Sequence, residues 1–199
     1  AAVARLHESS PRDVYETYLA ELIELMKLPG NRRRPRLNAP FVEDPGLPSF
    51  TPTSPAEAAG GINPKSLKGL LIDDEQAVFS GKWIKGSGLK GFVGTHYRYG
   101  RSGQARYPFT IPESGPWDVR VNWLPHENRS SRTRVLIELA GKVVAEQRVN
   151  QRQAALLKHG FHSLGRHTFT AGQKGAVILL TEGADGNVHA DAVQLLRVK

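Results

Sequence analysis

TRVLIELAGKVVAEQRVN, residues 133–150, is the stretch on which the fold turns. In its first half Val135, Ile137 and Leu139 alternate with Arg134 and Glu138, the two-residue period of a strand with one buried face. The second half, from Lys142, reads as another strand, and LAGK between them is short enough only for a tight hairpin. Working outward, the same texture fills the chain from residue 67. LLID (70–73), AVFSG (77–81), GKWIK (81–85), ARYPFTI (105–111) and WDVRVNW (117–123) precede the hairpin, and HSLGRHTFT (162–170), GAVILLT (175–181) and HADAVQLLRV (189–198) follow it. Many short strands at even spacing, with no helical period between them, predict an all-β domain, a β-sandwich with jelly-roll-like topology.

Upstream the texture changes twice. SSPRDVYETYLAELIELMKLPGN (9–31) offers Ser10 as a cap, Pro11 at the first helical position and Asp13 at the third, a signed helix start. Val14, Tyr18, Leu22 and Leu25 run beside Tyr15, Leu19, Ile23 and Met26, and Pro29-Gly30 ends the pattern. This predicts one amphipathic helix over 11–28, whose apolar face must dock on its own domain or on a partner protein. Residues 31–66 hold seven of the thirteen prolines and read as an extended linker. The expected divisions are therefore a helical segment 1–30, a linker 31–66 and a β-domain 67–199.

Composition excludes several classes. The 199 residues include no cysteine, which removes disulfides, thiolate metal sites and a cysteine nucleophile. No apolar run is long enough to span a bilayer, and AAVARLHESS at the start lacks the apolar core of a signal peptide. The chain is expected either to stay inside the cell or to have lost a leader. Residues 1–65 carry eight basic and eight acidic side chains, whereas 66–199 carry nineteen and eleven, so the β-domain holds the whole excess of +8. Such a field draws polyanions. Arg32, Arg33, Arg34 and Arg36 read as a solvated run rather than a nucleic-acid arm, because no aromatic residue interleaves with them. No G-x-S-x-G, G-x-G-x-x-G, P-loop or H-E-x-x-H pattern occurs, so neither a catalytic residue nor a cofactor is expected. His162 and His167, five apart in one strand, are expected on opposite faces. Asp73, Asp74 and Glu75 read as a solvated turn, and whether they hold a metal stays open.

IDDEQAVFSGKW, GFVGTHYRYG, FTIPESGPWDVRVNW, NRSSRTRVLIELAGK, VNQRQ, FHSLGRHTFTAG and HADAVQLL follow one another through residues 72–196. In order and spacing the series resembles the golvesin C-terminal-like domain, over about 70–199. The resemblance implies an extracellular, non-catalytic, carbohydrate-binding-like β-sandwich, of the kind found at the C-termini of xanthan-lyase-like proteins and of bacterial FAD-dependent oxidoreductases. The flavin is not carried over, for want of a Rossmann fingerprint. Gly115-Pro116-Trp117-Asp118-Val119 departs from the family's G-x-Y-x-V, and Phe161-His162 stands where the family has Trp before Leu164-Gly165. In similar modules the Asp-Ala-Val segment of the last strand is a structural element, which implies that Asp191 accepts hydrogen bonds from backbone N–H groups of a neighbouring loop.

Aromatic residues supply the candidate site. Trp83, Trp117 and Trp123 occupy strand positions and are expected in the core. THYRYGRSG (95–103) has loop character and places Tyr97 and Tyr99 beside Arg98 and Arg101, a set able to stack on a sugar face and pair with its carboxylate or sulfate. PHENRSSRTR (125–134) adds His126, Asn128, Arg129 and Arg132 in the next loop. The expected function is an extracellular or periplasmic accessory module that binds polysaccharide, acidic in kind, through these eight residues. Two other readings stand beside it. One is an assembly subunit whose helix and linker clamp a partner protein; the other is the C-terminal part of a larger lyase or oxidoreductase.

Overall fold

The computed structural model describes residues 54–198. The helix expected over 11–28 and most of the linker lie outside the described residues. Residues 54–66, expected as linker, are instead folded. The short helix α1 (Pro55–Ala58) is capped by Ser54 Oγ, which accepts from Glu57 N–H, and a 3-10 turn (Pro64–Ser66) is capped by Asn63. Each proline begins its turn, where its missing N–H costs nothing and its fixed φ fits, so here these residues initiate structure rather than break it.

Twelve strands follow. They are β1 (Leu70–Asp73), β2 (Val78–Ser80), β3 (Trp83–Gly86), β4 (Tyr97–Gly100), β5 (Gln104–Thr110) and β6 (Gly115–Asn122), then β7 (Thr133–Leu139), β8 (Lys142–Val149), β9 (Phe161–Phe169), β10 (Lys174–Leu180), β11 (Val188–Ala190) and β12 (Ala192–Arg197). Eight of them pair as nested antiparallel hairpins, β7 with β8 innermost, then β6 with β9, β5 with β10 and β1 with β12. Rolling that nest gives two sheets, β1-β12-β6-β9 and β2-β5-β10-β7-β8, the jelly-roll arrangement of two packed sheets. The hairpin that decides the fold turns through Ala140 (φ 47°) and Gly141 (φ 80°), the positive pair that a two-residue primed turn requires.

Between the sheets lies one core. Tyr107, Phe109, Ile111, Trp117, Val119, Trp123, Val135, Ile137, Phe169, Val177, Leu179 and Leu195 meet there. Trp117 and Trp123 are buried as expected, whereas Trp83 is half-exposed. All three indole N–H groups donate to carbonyls of adjoining turns, at Ser80, Glu113 and Gln153, so each ring also pins a connection. On the outer face of the larger sheet Leu136, Ala176 and Ile178 form a separate apolar strip. Two bidentate pairs, Arg106 with Glu138 and Arg134 with Glu146, lie on that same face, and arginine stems cover apolar surface in this manner.

A third sheet, β11-β4-β3, extends the sandwich at one end. It forms because β11 and β12 are one strand parted at Asp191, β11 pairing with β4 and β12 with β6. Val93 N–H donates to both Asp191 carboxylate oxygens, at 3.2 and 3.0 Å. The buried acid thus answers a single loop N–H, and burial raises its pKa well above the usual carboxylate range.

Candidate binding site

THYRYGRSG was expected as loop, but its centre is strand β4, paired on both edges. Flanking glycines disguised a four-residue strand whose period of two then decides where each side chain goes. Tyr97 and Tyr99 share one face. Arg98 takes the other, where its Nε lies 3.2 Å from Asp74 and its guanidinium sits over the Phe79 ring at 4.6 Å. Arg98 is therefore separated from the tyrosines it was grouped with. Arg101, past the strand end, is exposed and donates to Asn187 Oδ1 at 3.1 Å, while Arg132 is exposed and no side-chain bond holds it.

The remaining five converge. Tyr97, Tyr99, His126, Asn128 and Arg129 line one open depression of about 240 Å³, together with Gly88 and Leu89 from the β3–β4 loop. Its floor is built in layers. His189 of β11 is fully buried and stacks on Tyr97, centroids 4.6 Å apart and planes at 23°. Gln151 fixes His189 in turn, since its amide donates to His189 C=O at 2.9 Å and accepts from His189 N–H at 2.8 Å. Burial, with the Arg129 charge beside it, pushes the His189 pKa well below the ordinary histidine value, so the ring is neutral.

Arg129 is the unusual member. It is 3% exposed, and among the described residues it is the buried arginine. Its guanidinium lies 4.9 Å from the Tyr99 ring centroid and 5.7 Å from that of Tyr97, and Nη1 donates to Asn128 Oδ1 at 2.9 Å. No carboxylate pairs with it among the described residues, and Nε has no partner. Burial lowers its pKa. Arg98, Arg106, Arg120, Arg134, Arg152 and Arg197 all face a carboxylate. A desolvated cation without a counterion is costly.

The loops around the depression are stapled. Asp185, between β10 and β11, accepts from Ser130 Oγ, Ser131 N–H, Ser131 Oγ and Arg152, and those bonds hold its pKa well below the usual carboxylate range. Two larger depressions offer less. In one of about 460 Å³, Arg106 and Glu138 satisfy each other; one of about 360 Å³ has Val135, Ile137, Ala145 and Leu164 along it and a Glu146 already paired.

Two other expectations change. Asp73, Asp74 and Glu75 do not form a solvated turn, because Asp74 is buried against Arg98 and His96. Burial, with the neighbouring acids, raises Asp73 to about 6 and Asp74 to about 7. His162 and His167 share a face after all. A bulge opposite Val119 adds a residue to β9, so His162 stands across from Val121 and His167 from Trp117, both core positions. Among the described residues no cluster of three acidic or histidine side chains is arranged to hold a metal.

Sequence reasoning missed His189, Gln151 and Leu89. A histidine between Val188 and Ala190 in an apolar alternation was a usable signal; Gln151 and Leu89 carried none, since each matters only through a partner distant in sequence.

Comparison with known proteins agrees with this architecture. No curated protein matches the chain. Among solved structures, a Paenibacillus xanthan lyase superposes with a TM-score of 0.58 at 26% identity, over 65% of this chain and 13% of that one. A family 35 carbohydrate-binding module from Clostridium thermocellum gives 0.43 at 13% identity, over 64% and 94%. The chain spans about an eighth of the xanthan lyase it matches. The model of the golvesin C-terminal domain covers residues 70–197, nearly the whole of the sandwich described above, and to that family the chain belongs.

Proposed function

We propose that this domain is a non-catalytic accessory module that holds an acidic polysaccharide in the depression formed by Tyr99, His126, Asn128 and Arg129 over Tyr97. The observation that carries this reading is Arg129, a buried guanidinium laid over two tyrosine rings with no carboxylate of its own. A sugar carboxylate supplies the missing counter-charge through charge-assisted bonds, and the half-exposed Tyr99 ring offers a face for the sugar. Arg101, at the rim, adds charge that salt screens. Arg98 and Arg132 act at most through the general field.

The likeness to a xanthan lyase supports a polysaccharide context and a place within a larger protein. No helix among the described residues is long and apolar enough to cross a membrane. The test is isothermal titration with oligogalacturonate and with neutral dextran, at low and high salt. Binding of the carboxylated chain that survives salt, and is lost in Arg129→Gln and weakened in Tyr99→Ala, supports the reading. Equal binding by Arg129→Gln overturns the site. Tyr97→Ala is the poorer probe, because Tyr97 is 4% exposed and its loss disturbs packing as well.

A further inference from the structure

Residues 54–63 precede the segment that matches the family, yet they are tied to the wall of the depression. After α1 the chain runs beside the β3–β4 loop. Gly91 N–H donates to Gly60 C=O at 2.9 Å, Ile62 N–H to Phe92 C=O at 2.6 Å and Gly94 N–H to Ile62 C=O at 3.0 Å. Ile62 and Val93 form a parallel bridge. Lys90 Nζ adds a bond to Ala59 C=O at 2.9 Å. Close approach depends on Gly61, where a Cβ would strike Gly94 O and lie 2.7 Å from the Phe92 ring.

The clamp grips the loop just past the residues that face the depression. Gly88 and Leu89 line it, and Leu89 N–H donates to Tyr97 Oη at 3.3 Å. Phe92, wholly buried, brings its ring centroid to 5.8 Å from that of Tyr97. Between β3 and β4 the chain includes Gly88, Gly91 and Gly94, and a glycine-rich loop loses more entropy than most when it is ordered. Local strand propensity does not hold such a wall; contacts from elsewhere in the chain must, and the clamp supplies several of them.

We propose that residues 54–63 are a positioning brace, which fixes the Gly88–Leu89 wall over Tyr97, so that the binding unit begins near residue 54 and not at the start of the matched segment. The inference rests on the reading of the depression as the ligand site. None of residues 54–63 belongs to the core between the sheets. Breaking the brace therefore loosens the wall and leaves the sandwich folded.

The experiment uses the full chain with Gly61→Ala, which forces the clamp apart, and Lys90→Met, which removes one exposed bond. Hydrogen exchange is followed in peptides covering 86–96, with thermal unfolding and oligogalacturonate affinity measured alongside. Expected for Gly61→Ala are exchange at least tenfold faster in 86–91, a melting temperature within a few degrees of the parent and affinity about tenfold weaker, the cost of ordering a wall side chain or two on binding. Lys90→Met moves both in the same direction, about twofold. Should Gly61→Ala melt far below the parent, Lys90→Met decides alone. Unchanged exchange in 86–91 overturns the brace, and so does faster exchange with unchanged affinity. If the parent itself ignores oligogalacturonate, the glycan reading fails, and the brace stands or falls on exchange.

Discussion

Arg129→Met should make the unliganded protein more stable while abolishing the affinity for acidic glycan proposed for the depression. The parent side chain is 3% exposed, its Nε has no partner, and the bond from its Nη1 goes to the neutral Asn128 amide. Two terms favour keeping it. Contact with two tyrosine rings contributes about 1–2 kcal/mol, and the Asn128 bond about 1.5 kcal/mol. Against these stands the desolvation of a guanidinium, several kcal/mol per ion even after relaxation. Methionine retains much of the length and packing without the charge, and the Arg129 main-chain bonds to His126 and Arg152 survive the change. The balance is a gain of about 1 kcal/mol, which raises the melting temperature by about 2–4 °C for a domain of this size. Calorimetry of parent and variant reads it directly, with titration of oligogalacturonate in parallel. A loss of stability greater than about 1 kcal/mol would refute the reasoning, because Arg129 would then hold the fold and not await a ligand.

Gln151→Leu leaves the His189 N–H and C=O and the Thr133 hydroxyl without the partners they have now; at about 1–3 kcal/mol for each buried group the expected loss is at least about 3 kcal/mol by urea unfolding, against about 1 kcal/mol for Thr133→Val. The contribution of Asp73 and Asp74 to stability should fall as pH rises from 4 to 7, while the histidines held neutral by burial, His189, His96 and His162, contribute in the opposite sense below about pH 6.5. Asp73 and Asp74, raised to about 6 and about 7, keep protons in the folded state that the unfolded chain has already released; screening by solvent at Asp73 and coupling between the two limit the effect to about 1–3 kcal/mol. Asp74→Asn, a neutral mimic of the protonated acid, should remove most of that acid contribution, read as the parent-minus-variant difference in melts taken between pH 5 and pH 8. Asp185→Ala releases four bonds that staple the 130–131, 152 and 185 loops, and should speed hydrogen exchange at Ser131 with little change in the core strands.

Most of the sandwich was legible because its strands obey one rule, an apolar residue every second position with glycine, proline or asparagine at the turns. The 133–139 strand was read to the residue. What escaped the sequence was short or non-local. β4 has four residues, two of them tyrosines, and its strand character rests on pairing with β3 and β11, which propensity does not encode. The folded turns at 54–66 looked like linker because proline was read as a breaker, when its position at the start of each turn makes it an initiator. Histidine faces on β9 were counted with a period of two that a bulge interrupts. Charge was the weakest guide to the site. Of the arginines grouped there, Arg98 is bonded to Asp74 on the other face of β4, and only pairing in three dimensions distinguishes it from Arg129.

The acid in the last strand links fold to site by geometry rather than by chemistry. A continuous β11–β12 strand would stay beside β6 along its whole length and carry His189 with it. Asp191 parts the strand, and the loop that supplies Val93 N–H to its carboxylate is the same loop whose earlier residues wall the depression. Its own carbonyl accepts from the Tyr107 hydroxyl in the core at 3.3 Å. Parted there, β11 pairs with β4 in a register that sets His189 against Tyr99 and Val188 against Gly100, and His189 stacks on Tyr97 as the layer beneath the tyrosine face. Arg129 lies over that face. The order of cause runs from a buried carboxylate to a change of sheet, from there to a neutral histidine under a tyrosine, and so to a cation held out of water over two aromatic rings. A substitution at Asp191 should therefore disturb the depression and the sandwich together, whereas one at Arg129 separates them.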